Sequence, residues 1–155
     1  MIEEGQQAPD FELADQEGRP VHLSDFRHAW ILLYFYPKAD TPGCTAQACS
    51  ARDHSADYEA ANAVVLGVSP DSVDSLRKFA DKYGLAFTLL SDEGGKVAQQ
   101  YGVWVEKNNF GKTYFGNQRS SVLVDPEGNV ARVFPNVKPA EHDELVLGAL
   151  RELAA

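Results

Sequence analysis

The stretch 30–49, WILLYFYPKADTPGCTAQAC, decides the fold because it leads from a strand directly into a helix. Residues 30–36 form a continuous apolar and aromatic run that is too short for a buried helix, and Pro37 ends it, so the run predicts a central β-strand. Thr41 is a suitable N-cap and Pro42 suits the first helical position. A helix of about five turns is therefore expected to begin there.

Apolar runs alternate with helical patterns on both sides of this stretch, without repeats or long linkers. Residues 11–23 predict an N-terminal β-hairpin that turns at Gly18, with Ser24 as the cap of a short turn. Further strands are predicted within 63–70 and 85–92, and a hairpin that turns at 126–129 is predicted within 120–134. Helices are predicted within 71–84, 94–102 and 140–153.

The helical patterns also predict which side chains are buried. The predicted helix within 71–84 has an apolar face made of Val73, Leu76, Phe79 and Tyr83. Gly84 is expected to end this helix. In the last helix, the side chains predicted to face inward are Leu145, Ala149 and Leu150. Alternating strands and helices with edge hairpins predict an α/β fold, a three-layer sandwich with a central mixed sheet flanked by helices, in one domain spanning 1–155.

Charge and terminal composition limit the possible partners and the compartment. The chain has 14 Lys and Arg against 23 Asp and Glu, a net charge of −9, so neither nucleic acid nor an anionic membrane is an expected partner. The first residues lack the features of a signal peptide, and no apolar run approaches the ~20 residues that cross a bilayer. A cytoplasmic protein is therefore expected, and in a reducing cytosol cysteines are more often catalytic, metal-binding or buried than permanently bonded.

Cys44 and Cys49 are the two cysteines of the chain and lie five residues apart. In the first turn of the predicted helix, the free backbone N–H groups and the helix dipole favour an anion at Cys44. Gly43 is expected to leave open space for a ligand, and the Thr41 hydroxyl can donate a hydrogen bond. The competing interpretation is a buried, inert cysteine.

The spacing of the cysteines limits how they can react with each other. Residues five apart in an α-helix have Cα atoms about 8 to 9 Å apart, whereas a disulfide needs about 4.4 to 6.8 Å. Two hypotheses remain. Either Cys49 is a core residue without a redox role, or the helix opens after Cys44 is oxidised and Cys49 then attacks it.

The segment YPKADTPGCTAQAC, residues 36–49, resembles the active-site signature of peroxiredoxins. The five-residue cysteine spacing is similar to that of the bacterioferritin comigratory protein or PrxQ subgroup. Segments 68–92 and 101–130 also resemble that subgroup, so the resemblance spans nearly the whole chain. It implies a thioredoxin-like fold and reduction of hydrogen peroxide and organic hydroperoxides, with thioredoxin or a glutaredoxin-like dithiol protein as reductant and with no cofactor or metal.

The resemblance also implies roles for individual residues. Cys44 corresponds to the peroxidatic cysteine and Cys49 to the resolving cysteine, which would form an intramolecular disulfide after local helix unfolding. Pro37 and Thr41 match the PxxxTxxC pattern, and Arg119 matches the active-site arginine. Because both cysteines lie in one chain, a monomer is expected.

Two positions depart from the subgroup. Gln47 stands where glutamate is common, and Val105 stands where glycine is common. Neither change removes a catalytic group, and Gln47 is not included among the expected site residues. The alternative function is a redox sensor that uses the same switch to bind or release a partner without turnover; a general thiol-disulfide exchanger is less favoured because the chain lacks CxxC.

Other polar and aromatic residues receive weaker interpretations. Trp104 and Tyr114 are candidates for lining the mouth of the pocket, with core packing as the alternative. A metal set of Cys44, Cys49 and His54 is rejected because the five-residue steps give no shared helical face. Surface or half-buried positions are expected for all four histidines, which are His22, His28, His54 and His142.

Overall fold

The computed structural model describes residues 1–154. The strands are β1 (Glu12–Asp15), β2 (Pro20–His22), β3 (Trp30–Phe35), β4 (Ala63–Ser69), β5 (Thr88–Ser91), β6 (Trp104–Asn109), β7 (Lys112–Asn117), β8 (Ser120–Val124) and β9 (Val130–Phe134). The helices are α1 (Pro42–Asp53), α2 (Ser55–Ala60), α3 (Val73–Tyr83), α4 (Lys96–Tyr101) and α5 (His142–Leu153), and 3-10 turns cover Leu23–Phe26 and Pro139–Glu141.

Strand β3 lies within a seven-stranded sheet of order β2-β1-β5-β4-β3-β8-β9. It pairs in parallel with β4, where Leu33 faces Leu66, and antiparallel with β8, where Leu33 faces Val122. The predicted central strand, the mixed sheet and the N-terminal hairpin of β1 and β2 are therefore confirmed.

Successive side chains of β3 point to opposite faces of the sheet, so the strand contributes to two cores. Leu32 and Tyr34 join a cluster with side chains from α1, α2, α3 and α5. Leu33 and Phe35 join a second cluster, with side chains from α4. Helices thus cover both faces of the sheet, which gives the predicted three layers.

The helix that follows β3 differs from its prediction in length. Thr41 occupies the N-cap position with extended dihedrals, and Pro42 begins α1 as expected. The predicted five-turn helix is wrong, because the chain leaves helical geometry at His54 (φ −97°, ψ 14°) and α2 begins at the next residue. His54 directs both its backbone N–H and its ring Nδ1 to the carbonyl oxygen of Ser50, at 3.0 and 2.8 Å.

Two smaller predictions are also wrong. Leu145 is 47% exposed, whereas the adjacent Val146 and Leu147 are buried, because α5 presents the face that carries Val146 and Leu150 to the sheet. Ser24 does not cap the first 3-10 turn. The N-cap is His22, whose N–H donates to the Asp25 carboxylate at 2.9 Å.

A hairpin of β6 and β7, absent from the predicted elements, forms a separate two-stranded sheet. Asn117 at its end donates from Nδ2 to the carbonyl oxygens of Tyr36 and Val68, at 3.1 and 3.3 Å. Those two residues lie at the carboxyl ends of β3 and β4. The hairpin is therefore fixed beside the start of α1.

Within residues 1–154, no helix is both long enough and apolar enough to cross a bilayer. The same residues contain no group of three or more His, Cys, Asp or Glu side chains arranged to hold a metal ion.

Candidate active site

The loop between β3 and α1 is held by contacts from α3 and from the residues just before α3. The N–H of Ala39 donates to the Asp71 carboxylate at 2.8 Å. Asp40 has a left-handed backbone (φ 60°), and its carboxylate accepts bonds from Lys82 Nζ at 3.0 Å and Tyr83 Oη at 2.7 Å. These contacts fix where α1 begins and therefore where Cys44 lies.

Cys44 lies in the first turn of α1 and is only 2% exposed. Its Sγ accepts a hydrogen bond from Arg119 Nη2 at 3.3 Å. A guanidinium carries a permanent positive charge, and a helix N-terminus adds a partial one. The sulfur therefore lies beside a fixed positive charge at the N-terminal end of α1.

Arg119 is held at its backbone and at its second guanidinium nitrogen. Its carbonyl oxygen accepts from the N–H of Val137 at 2.9 Å. Its Nη1 donates to Gln47 Oε1 at 2.6 Å, and Gln47 is fully buried. Gln47 is not among the expected site residues, although its position three residues after Cys44 places both on one helix face.

The surroundings of Gly43 contradict the expectation that this glycine leaves open space for a ligand. A Cβ added to Gly43 would lie 3.0 Å from Arg119 Nη2 and 3.7 Å from Pro139 Cγ. The space beside this glycine is therefore filled by the arginine and is not open to a ligand. A side chain at this position would press on the guanidinium that contacts Cys44.

The other expected site residues are Thr41, Pro37 and Cys49. The Thr41 hydroxyl donates to the carbonyl oxygen of Lys38 at 2.7 Å and makes no capping bond to the helix. Pro37 is half-buried at the end of β3. Cys49 is half-buried farther along α1, and both cysteines are free thiols.

Lys107 on β6 is an additional positive group near the site. It faces Tyr114 across the hairpin and belongs to no ion pair among residues 1–154. The pKa of Lys107 is lowered overall. Burial is the largest cause, the charge of Cys44 opposes it, and the charge of Arg119 adds to it. No sequence pattern distinguished this lysine from a surface charge.

The expectation of surface or half-buried histidines is wrong for His142, which is fully buried. Its Nε2 lies 2.6 Å from Ser121 Oγ, and its ring lies 5.6 Å from that of Tyr34. Burial lowers the pKa of His142 to about 4, Asp143 opposes this shift, and Arg119 adds to it. A neutral imidazole therefore lies in the core beneath the site at neutral pH.

The two aromatic candidates for the pocket mouth differ in environment. Trp104 packs against the second core cluster, and its ring closely covers Gly95, where an added Cβ would lie only 2.4 Å away. This environment favours the core-packing alternative for Trp104. Tyr114 is 48% exposed.

Comparison with known proteins gives a consistent result along the whole chain. Residues 4–133 match the AhpC/TSA family. Peroxiredoxin Bcp of Escherichia coli K12 is 48% identical over 153 residues, covering 99% of this chain and 98% of the relative. Peroxiredoxin Bcp of Bacillus subtilis 168 is 44% identical with the same coverage.

Solved structures agree with these relatives. The bacterioferritin comigratory protein of Xanthomonas campestris, described for its alkyl peroxide reduction activity, has a TM-score of 0.91 at 36% identity, covering 99% of this chain and 100% of that one. Peroxidoxin BcpB of Mycobacterium tuberculosis has a TM-score of 0.90 at 34% identity, with 100% of both chains covered. The predicted thioredoxin-like fold is therefore confirmed, and the chain belongs to the AhpC/TSA family as a peroxiredoxin of the Bcp type.

Proposed function

We propose that the protein is a thiol-dependent peroxidase that reduces hydrogen peroxide and organic hydroperoxides, with Cys44 as the peroxidatic residue. The contact of 3.3 Å between the Cys44 sulfur and Arg119 Nη2 carries this proposal. It places a buried nucleophile at a helix N-terminus beside a fixed cation, as expected of a site that handles developing negative charge.

The first step is attack of the Cys44 thiolate on one peroxide oxygen. The S–O bond forms while the O–O bond breaks, giving Cys44 sulfenic acid and an alkoxide or hydroxide. The departing anion then takes a proton and leaves as an alcohol or water. The sulfur is oxidised by two electrons and the peroxide is reduced by two.

Ionisation of the thiol alone accounts for little of the rate acceleration that a peroxidase needs. An ordinary thiol is already about 3% thiolate at neutral pH, so complete ionisation raises the reactive fraction by at most about 30-fold. Most of the acceleration must come from groups that stabilise the transition state. Arg119 is positioned for this role because its fork contacts the sulfur and can also reach a peroxide oxygen beside it.

Thr41 and Pro37 complete the proposed pocket. The Thr41 hydroxyl donates its proton to the Lys38 carbonyl, so its oxygen retains lone pairs that can accept from the O–H of a hydroperoxide. This differs from the expectation that Thr41 acts as a donor. Pro37 has no backbone N–H and shields the thiolate from water.

The second step proposed is resolution by Cys49. Its thiol attacks the sulfenic sulfur, a disulfide forms, and water leaves. The two cysteines lie in continuous helix within α1, where their Cα atoms are too far apart for a disulfide. Resolution therefore requires α1 to unwind locally.

The disulfide would return to two thiols by exchange with thioredoxin or a glutaredoxin-like protein. Because both cysteines belong to one helix, the cycle needs no second subunit. A monomer in the cytoplasm is part of the same proposal, and the net charge of −9 disfavours nucleic acid and anionic membranes as partners.

A coupled assay with NADPH, thioredoxin reductase, thioredoxin and hydrogen peroxide tests the proposal. Cys44→Ser should abolish peroxide-dependent NADPH oxidation. Cys49→Ser should consume one equivalent of peroxide and then stop in this assay. Full turnover by the Cys44 variant would refute the proposal, and one oxidation without turnover by the unmodified protein would indicate a redox sensor.

A further inference from the structure

A buried carboxylate on α5 joins that helix to α1 and α2. Asp143, in the first turn of α5, is 4% exposed. Its Oδ2 accepts a hydrogen bond from Ser50 Oγ on α1, and its Oδ1 accepts one from Tyr58 Oη on α2. Both carboxylate oxygens are therefore engaged by hydroxyl donors from the two helices that follow the active-site loop.

His54, at the junction of α1 and α2, lies beside the same carboxylate. Its Nδ1 is 3.7 Å from Asp143 Oδ2 and 2.8 Å from the carbonyl oxygen of Ser50. Burial and the neighbouring Asp143 raise the pKa of Tyr58, so the phenol remains a protonated donor. The C-terminal end of α1 is thus attached to α5 by polar contacts as well as by apolar packing.

Ser50 directly follows Cys49 in α1. When residues 44–49 unwind, residues 48–53 lose the carbonyl acceptors of their helical N–H groups. Helical geometry at Ser50 is then no longer supported from the N-terminal side, and its hydroxyl must leave the Asp143 carboxylate. A hydrogen bond to a charged, buried acceptor is among the stronger ones in proteins.

We propose that Asp143 is a positioning residue for the resolution step: its bond to Ser50 holds the Cys49 end of α1 helical and limits how fast Cys49 reaches oxidised Cys44. The inference rests on the peroxidase function proposed above. The Ser50–Asp143 bond lies outside the pocket of Cys44 and Arg119. The rate of the attack on peroxide and the rate of disulfide formation can therefore change independently. The carboxylate is expected to affect disulfide formation and leave the attack on peroxide unchanged.

Quenched-flow mixing with one equivalent of hydrogen peroxide, followed by alkylation and mass spectrometry, separates the two rates. Ser50→Ala is expected to form the Cys44–Cys49 disulfide about 10- to 100-fold faster than the unmodified protein, the range for one hydrogen bond to a charged group. The rate of Cys44 oxidation should be unchanged. Asp143→Asn should act in the same direction, and Ser50→Thr, which keeps the hydroxyl, should restore the original rate.

Two controls distinguish this role from general loosening of the fold. Tyr58→Phe removes the other donor to Asp143 but lies outside the unwinding segment, so its disulfide should form within about twofold of the original rate. Ser55→Ala removes an exposed hydroxyl at the start of α2 and should change neither rate.

Two outcomes overturn the proposal. One is a Ser50→Ala variant that forms the disulfide within about twofold of the original rate, and the other is an equal acceleration in Tyr58→Phe. Failure of the underlying function is distinguishable from both, because Cys44 of the unmodified protein would then not be oxidised by peroxide.

Discussion

The guanidinium of Arg119 contacts the Cys44 sulfur at 3.3 Å, although the two residues are 75 positions apart in the chain. The other end of the same fork donates to Gln47 at 2.6 Å. Because Cys44 and Gln47 are three residues apart on one helix, the arginine is aligned with a single face of α1. In the proposed mechanism, the cation has a fixed direction before any substrate arrives and therefore needs little reorganisation during the reaction.

Replacement of Arg119 by lysine is the first prediction. An ammonium cannot contact Cys44 and Gln47 as a planar fork, so Arg119→Lys should slow Cys44 oxidation by about 100-fold, in the range for loss of one preorganised donor. Stopped-flow measurement of the second-order rate with hydrogen peroxide tests this. Arg132→Lys is the matched control, since Arg132 pairs with Glu4 at 3.7 Å. A decrease below threefold for Arg119→Lys would contradict the assigned role.

Gly43→Ala should change activity and stability in opposite directions. The added Cβ would lie 3.0 Å from Arg119 Nη2 and displace it, so we expect about a 10-fold slower oxidation of Cys44. Alanine stabilises helices relative to glycine by up to about 1 kcal/mol, so the melting temperature should not fall. Gly148→Ala in α5 is the control, because an added Cβ there meets no atom within 4 Å. An unchanged rate in Gly43→Ala would show that the arginine does not need this space.

The buried His142 predicts a loss of stability in acid. Its pKa is lowered from 6.5 to about 4 by burial, so between these values the unfolded chain binds more protons than the folded protein. Stability therefore falls as pH falls through this window. The contribution is about 3 kcal/mol, since one pKa unit corresponds to about 1.4 kcal/mol.

Urea denaturation of the reduced protein at pH 7 and pH 4 measures this effect. His142→Gln supplies a side-chain amide that can bond with Ser121 and does not titrate. It therefore removes the contribution of His142 to the pH dependence of stability and leaves the contribution of the carboxylates. The free energy of unfolding should therefore fall less in this variant than in the unmodified protein. Equal decreases in both proteins would exclude His142 as the source.

Oxidation should unwind α1 and leave α3 intact. Hydrogen exchange in the disulfide form should show faster exchange for amides 48–53, whose acceptors in the reduced protein are the carbonyls of 44–49. The helix Val73–Tyr83 serves as an internal control. Retained protection of amides 48–53 in a protein with a verified Cys44–Cys49 disulfide would contradict the proposed unwinding.

Local sequence signals were sufficient for most elements of the fold. The run 30–36 has no polar break, and Trp30–Phe35 within it form β3 in the interior of the sheet. Helix α3 begins after Ser72, whose hydroxyl accepts from the N–H of Ser75, and ends at Gly84 in a left-handed conformation. Such caps act within one turn, so their effect can be predicted from neighbouring residues.

Predictions that depended on distant contacts were less successful. In α5, Leu145 precedes two further apolar residues, and packing on the sheet decides that Val146 and Leu147 are buried instead. The burial of His142 depends on Ser121, which is 21 positions away in the chain. No helical periodicity within α5 distinguishes such a histidine from an exposed one.

The candidate site shows the same division between local and distant information. The position of Cys44 in the first turn follows from Thr41 and Pro42 just before it. The contact of Arg119 with Gln47 joins residues 72 positions apart, and its contact with Gly43 fills a space that the local sequence suggests is open. Arg119 lies between β7 and β8, so its position against α1 depends on contacts between distant parts of the chain.

The most direct test of the account is the mass of the peptides that contain Cys44 and Cys49 after the reduced protein reacts with one equivalent of hydrogen peroxide. We expect a single intramolecular Cys44–Cys49 disulfide, two hydrogen masses lighter than the dithiol. In Cys49→Ser, we expect one additional oxygen on Cys44. Consumption of the peroxide with Cys44 recovered as an unmodified thiol would contradict the account.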